Sequence, residues 1–251
     1  LITTVLLLCF AIYGGVYSLK VSKKDKWRIF FRSIAEALTA YFFLTAVMKM
    51  PFANVTAILQ ILPMTVTLAA AFVFKEKVGV IRISLILVGF LGVVLIINPS
   101  ADGFNLYAVY ALVAVFLITI RDLITRKLSS EVSTLLPTVS ASVGVLLFSL
   151  ILLVNTPLQP LNTQNSLFIL LASFFIVFGY YTAVLVMRSG EISFISPFRY
   201  TAILFALILG FIFFDEKPDI TAFVGIVVVM LAGIFLMMRN SSVQKNKTGN
   251  N

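Results

Sequence analysis

Nine long apolar runs dominate this chain, separated by short polar breaks. They fall at residues 1–19, 27–48, 51–74, 80–98, 104–124, 132–154, 166–187, 192–214 and 221–238. A helix needs roughly 20 apolar residues to cross the hydrocarbon core of a bilayer. Repeated runs of that length predict repeated crossings. The runs are continuous rather than alternating, so helices are expected and not barrel strands. Composition agrees: 61% of residues are hydrophobic and only 12% are charged, against about a quarter charged in a soluble domain. The expected fold class is an all-α membrane protein with the lipid bilayer as its solvent.

Basic residues orient the spans. Lys and Arg favour short cytoplasmic loops. Lys20, Lys23, Lys24, Lys26 and Arg28 follow the first run, and only Lys49 follows the second. Lys75, Lys77 and Arg82 surround the third break, and Asp102 stands without a base in the fourth. Arg121, Arg126 and Lys127 mark the fifth, and none marks the sixth. Arg188 marks the seventh, Lys217 lies among acids in the eighth, and Arg239, Lys245 and Lys247 close the chain. Alternate loops are therefore basic, which predicts a cytoplasmic C-terminus and a first residue on the far side. A preceding helix would bring the count to ten. The net charge of +9 is explained by topology, so no nucleic-acid partner is expected. Residues 240–251 are polar and are expected to be disordered.

The chain repeats itself weakly. Phe74-Lys75-Glu76-Lys77 matches Phe214-Asp215-Glu216-Lys217, and Met48-Lys49 sits like Met187-Arg188. Gly92 follows Glu76 at nearly the spacing of Gly233 after Glu216. Loop charge places the two acids on opposite sides of the membrane. Two inverted five-helix halves are the expected organisation, 1–99 without its first helix and 100–239. Such inverted halves rock about a midplane site in alternating access.

These motifs, with Gly89 and Gly92 in one half and Gly225 and Gly233 in the other, resemble the EamA family of the drug/metabolite transporter superfamily. Ser196-Pro197-Phe198-Arg199-Tyr200 also resembles a stretch frequent in bacterial members, some described as uptake carriers. The resemblance covers nearly the whole chain. It departs where the family usually has Gly before the acid, here Lys75 and Asp215, and in the absence of the family's first helix. It implies ten helices, a bacterial cytoplasmic (inner) membrane location and secondary transport of small metabolites.

Ionisable groups inside spans are costly and are functional candidates by default. Glu36 lies about nine residues into its run, roughly 13 Å deep, and Arg199 about eight residues, roughly 12 Å. Glu36 is the expected coupling residue, a carboxyl that exchanges a proton. Arg199 is expected to hold a substrate carboxylate or phosphate by bidentate hydrogen bonds. Against this, Arg32 stands four residues before Glu36 and can pair with it on one face. Arg199 can also snorkel to the interface. Thr56, Gln60, Pro63 and Thr67 share one helical face, with Asn54 near its end. Asn54, Thr56 and Gln60 are candidate substrate ligands, or else bond neighbouring helices. Pro63 and Pro197 are candidate hinges. Tyr200 and Tyr180 are candidate substrate contacts, although Tyr180 and Tyr181 serve equally as packing residues. Arg121 and Asp122 read as an interfacial anchor or a gate pair. The glycines are expected to let helices approach closely.

The chain has no histidine and a single cysteine, Cys9. It contains no G-x-x-x-x-G-K-[ST] stretch, no H-E-x-x-H and no TVGYG-like filter, so no nucleotide motor, zinc protease or potassium channel is indicated. No catalytic residue, metal or cofactor is expected. The partner is a small-molecule substrate, with an anionic or zwitterionic group favoured by Arg199: an amino acid, a carboxylate or a cofactor-like molecule. A lipid-modifying intramembrane enzyme and a non-transporting structural membrane protein remain alternatives. Phe-rich faces suit a monomer or a homodimer.

Overall fold

A computed structural model describes residues 1–13, 21–74, 79–97, 106–154, 162–188 and 201–248. All regular structure among them is helical. The helices are α1 (Ile2–Tyr13), α2 (Lys23–Lys49), α3 (Phe52–Leu59), α4 (Leu62–Phe74) and α5 (Val80–Ile97). They continue as α6 (Leu106–Arg126), α7 (Leu135–Leu153), α8 (Thr163–Arg188), α9 (Thr201–Phe214) and α10 (Ile220–Thr248). Five helical stretches, Lys23–Lys49, Phe52–Val73, Leu106–Arg126, Leu135–Leu153 and Asn165–Val186, are long and apolar enough to cross a membrane. Ile2–Tyr13, Ile83–Ile97, Thr201–Phe214 and Ile220–Leu236 are shorter apolar helices. Large apolar side chains such as Phe168, Phe175, Phe205 and Phe213 face outward, as lipid-facing residues do.

The ends of these helices follow local chemistry. Ser22 starts α2: its Oγ accepts from the Asp25 N–H at 3.1 Å and donates to the Asp25 carboxylate at 2.8 Å. This is a short version of the reciprocal N-terminal box, and it extends α2 one turn beyond the apolar run. Asn162 and Asp219 cap α8 and α10 through the N–H groups of Asn165 and Ala222. Nothing in 240–248 breaks a helix, since neither Pro nor Gly occurs there. Hence α10 runs on to Thr248, into the stretch expected to be disordered.

The run 51–74 is broken. Pro63 has no N–H to give the Leu59 carbonyl, and the helix stops at Leu59 and restarts at Leu62. Gln60 and Ile61 form the turn between, bonding back to the carbonyls of Ala57 and Ile58 at 3.1 and 3.2 Å. The Thr67 hydroxyl then donates to the Pro63 carbonyl at 2.7 Å.

The helices form two compact units that are not the two sequence halves. One contains Leu1–Ala40 and Ile120–Gly190, the other Tyr41–Thr119 and Glu191–Asn251. In the first unit α1 packs on α7 and α8, and the Thr4 hydroxyl donates to the Ser142 carbonyl at 3.2 Å. In the same unit Gly144 lies against the backbone of Ser33.

The second unit is built on α5 against α10. A Cβ on Gly225 would stand 2.6 Å from the Gly92 carbonyl oxygen, and one on Gly92 would stand 2.8 Å from Val229 Cγ2. The two backbones therefore touch, as small residues allow in membranes. Around them lie Ile58, Ile61, Met64, Ile203, Ile226 and Leu236. This unit also holds the acidic motif. Asp215 adopts φ 51°, the left-handed region that Gly enters freely and Asp tolerates better than most residues. The turn it makes lets the Glu216 N–H donate to the Gly210 carbonyl at 3.0 Å. The Glu216 carboxylate then accepts from the Phe52 N–H at 2.7 Å. It thus caps α3, whose own cap position, Pro51, offers no side-chain bond, and it sits at the positive end of that helix.

Substituting Gly225 by Val is expected to cost about 1–3 kcal/mol through overpacking, read as a lower unfolding temperature in detergent. A methyl group added at Gly179 would have nothing within 4 Å of it, so Gly179→Ala should leave that temperature unchanged or raise it.

Candidate functional site

The first unit buries a cluster of charges. Helix α2 carries Arg32 and Glu36 four residues apart, one above the other on one face. Helix α6 carries Thr125 and Arg121 at the same spacing. The two helices meet with their numbering running in opposite directions. The Arg32 Nε donates to Thr125 Oγ1 at 2.9 Å, and Arg121 donates to both Glu36 oxygens at 3.0 and 3.2 Å.

Further bonds complete the network. Arg32 donates to the Pro137 carbonyl at 2.8 Å and lies 3.6 Å from Glu36 Oε2. The Arg121 Nε and second terminal nitrogen reach Asp122 Oδ1 at 2.9 and 2.8 Å. Thr125 donates its own proton to the Arg121 carbonyl at 2.8 Å. Arg32, Glu36 and Asp122 are buried, and the Arg121 side chain is 15% exposed.

The balance is two guanidiniums against two carboxylates, a neutral group. Burial of charge is tolerated only when it is paired and hydrogen-bonded. Among the described residues of this unit, two buried side-chain oxygens, Asp122 Oδ2 and Thr39 Oγ1, have no hydrogen-bond partner. Thr39 lies about one turn beyond Glu36 on α2. Tyr180 is half-buried on α8.

Of the residues singled out from sequence, Glu36 and Tyr180 belong to this unit. Arg32 does neighbour Glu36, but Arg121 is the closer partner. The Arg121 and Asp122 side chains turn inward, to Glu36 and to each other. Counting residues from a helix end gives depth along that helix and not what stands opposite. The available signal was the matched four-residue spacing of Arg32–Glu36 and Arg121–Thr125.

Asn54, Thr56, Gln60 and Pro63 belong to the other unit. Gln60 is buried in the turn between α3 and α4. Thr56 and Pro63 are half-buried, and Asn54 Oδ1 is buried without a hydrogen-bond partner. Pro197, Arg199 and Tyr200 lie outside the described residues, as does Lys75-Glu76-Lys77. Among the described residues no group of three or more His, Cys, Asp or Glu is placed to hold a metal ion.

Apolar helices with outward aromatic faces and a buried, neutral ion cluster define a multi-pass helical membrane protein. The profile of the EamA-like transporter family matches residues 1–98 and 105–239. The chain belongs to that family. It is similar to the S-adenosylmethionine uptake transporter of Rickettsia prowazekii (strain Madrid E), with 23% identity over 251 residues, 98% of this chain and 82% of the relative. It is also similar to a riboflavin transporter of Vibrio cholerae serotype O1, with 25% identity over 180 residues, 72% of this chain and 60% of the relative. One solved crystal structure shares the fold, with a TM-score of 0.62 at 16% identity over 94% of this chain and 83% of that one.

Removing Arg121 would leave Asp122 without its cation and Glu36 with Arg32 alone at 3.6 Å. Arg121→Ala is therefore expected to cost about 3–5 kcal/mol. The check is thermal unfolding of the purified protein. Arg121→Ala together with Glu36→Gln should cost less than the sum of the two single changes, as double-mutant cycles of contacting charges do.

Proposed function

We propose that this chain is a secondary-active transporter of small metabolites that carry an anionic or zwitterionic group. It works by alternating access, with two inverted repeats in a bacterial inner membrane and its C-terminus in the cytoplasm. The observation that carries this reading is the buried cluster of Arg32, Glu36, Arg121 and Asp122. A guanidinium already shared between two carboxylates can exchange one of them for a substrate carboxylate without changing its own charge. Arg121 is the group that makes this exchange, and Glu36 is the carboxylate it releases. Pairing then differs between the empty and loaded states, which is what a ligand must achieve to shift a conformational equilibrium.

The remaining expectations fit this scheme as proposals. Arg199, with Tyr200 beside it, offers a second cation for the substrate. Gln60, Thr56 and Asn54 supply neutral polar contacts, and the turn before Pro63 and the bond before Pro197 serve as hinges. Irregular backbone inside a span is tolerated where it lines a cavity or is covered by protein. The relatives named for S-adenosylmethionine and riboflavin support small cofactor-like metabolites as the substrate class, and the family match in two successive segments supports the two repeats. Charges that bind without a nucleophile favour carriage over catalysis.

The test is counterflow in proteoliposomes with labelled S-adenosylmethionine, riboflavin, amino acids and carboxylates. Arg121→Lys and Arg199→Ala, checked for equal insertion, should each reduce exchange of the carried substrate about tenfold or more, the size of a lost charged hydrogen bond. Normal exchange by Arg121→Lys would make the cluster a structural fastening and refute its binding role, and normal exchange by Arg199→Ala would remove Arg199 from the site.

A further inference from the structure

The first turns of α2 divide into two faces. Asp25, Ile29, Arg32 and Glu36 are buried, and the charges among them are paired within the first unit. The other face is exposed and carries Lys23, Lys24 and Lys26, followed by Trp27, Phe30 and Phe31. At 3.6 residues per turn these side chains share about half of the helix circumference. The three rings hold one another. Trp27 stacks on Phe31 with centroids 5.8 Å apart, and Phe30 meets the two edge-on at 5.8 and 5.6 Å. Among the described residues no acid pairs with the three lysines. The acid beside them, Asp25, is turned to the buried face and held by Arg28 at 2.9 Å.

The order of these residues along the helix selects the kind of ligand. From Lys26 to Phe30 the helix rises about 6 Å, and from Lys23 to Phe31 about 12 Å. The headgroup layer on each side of the hydrocarbon core is about 5–8 Å deep. Lysines at headgroup level therefore put the phenylalanine rings against the upper acyl chains, with Trp27 at the boundary where tryptophan is favoured. An amphiphile with an anionic head and an apolar tail meets both parts of this face. A water-soluble phosphate meets the lysines alone and leaves the rings uncovered. A second copy of the chain fits poorly, because a two-fold contact sets a patch against itself and would bring lysines against lysines.

We propose that this face of α2 is a binding site for an anionic phospholipid. The lipid phosphate lies among Lys23, Lys24 and Lys26, and the acyl chains run down over Trp27, Phe30 and Phe31. The long lysine stems let each ammonium reach the headgroup layer. Attraction to anionic lipid is worth about fivefold in affinity for each lysine engaged. The site requires only that the chain lies in a bilayer, so it stands apart from the carrier reading. It has a consequence for the buried cluster. The same helix carries Arg32 and Glu36 on its inward face, so a lipid that fixes the depth of α2 also fixes the depth of those charges.

Trp27 is the single tryptophan of the chain, so its fluorescence reports on this face alone. The experiment places the full chain in mixed vesicles of phosphatidylcholine and phosphatidylglycerol. One lipid or the other carries brominated acyl chains, which quench an indole on contact. In wild type, brominated phosphatidylglycerol should quench Trp27 with an apparent affinity about fivefold or more above that of brominated phosphatidylcholine. In the triple variant Lys23→Gln, Lys24→Gln, Lys26→Gln the preference should fall to about one. Quenching in a bilayer with both lipids brominated should stay the same in that variant, which checks that Trp27 still faces lipid. If the triple variant does not insert, Lys23→Gln and Lys26→Gln tested singly should each lower the preference. Equal quenching by the two lipids in wild type overturns the proposal, as does a preference that survives loss of the lysines. Absence of quenching by either lipid also overturns it and leaves the face covered by protein.

Discussion

Charge inside a hydrocarbon-bathed helix bundle must be neutralised where it stands. Water cannot screen it, and a single uncompensated ion costs several kcal/mol even after relaxation. The first unit of this protein is organised around that requirement. Two helices bring Arg32 and Glu36 against Thr125 and Arg121, and Asp122 supplies the second negative charge. Backbone also takes part, since the Pro137 carbonyl accepts from Arg32. The close approach of Gly144 to the Ser33 backbone, one position from Arg32 in sequence, keeps α7 against the same stretch of α2. Packing and electrostatics are therefore one design: small residues allow the approach, and the approach lets the guanidiniums reach their partners.

The second unit solves a different problem, that of exposed backbone. The break before Pro63 leaves α3 as a helix of eight residues, too short to be secure alone. Its N-terminus is capped by Glu216, held in place by the left-handed turn at Asp215. Its far end meets a buried Gln60. A short helix capped from a remote loop can move as a body when its cap is released, whereas a continuous span would have to bend.

Much of this was legible from residue order. Among the described residues every apolar run carries helix, because the bilayer removes other solutions, although the run 51–74 is split and only five helical stretches are long enough to cross a membrane. Pro63 announces the interruption between α3 and α4. The short polar signal Ser22–Asp25 starts α2 a turn before its apolar run begins, so hydropathy alone sets that boundary too late. The pairings were harder. Glu216 stands out as part of a repeated motif, yet its partner Phe52 is 164 positions away, and no local pattern names it. Arg121 and Asp122 look like interfacial residues because Arg126 and Lys127 follow closely, and only the facing helix shows that their side chains turn inward. Asp215 is the converse case. It departs from the glycine usual in the family, and its φ shows that the backbone keeps the glycine-like turn.

The central claim is that the Glu36–Arg121 pair is exchanged for substrate during transport and is more than a fastening. The most direct measurement is counterflow and thermal unfolding of the charge-swapped double variant, Glu36→Arg with Arg121→Glu. The swap preserves a pair of opposite charges but moves the anion-binding group to the other helix. The account predicts that the swap recovers stability relative to either single change while substrate exchange stays lost. Recovery of both together would contradict it and make the pair purely structural.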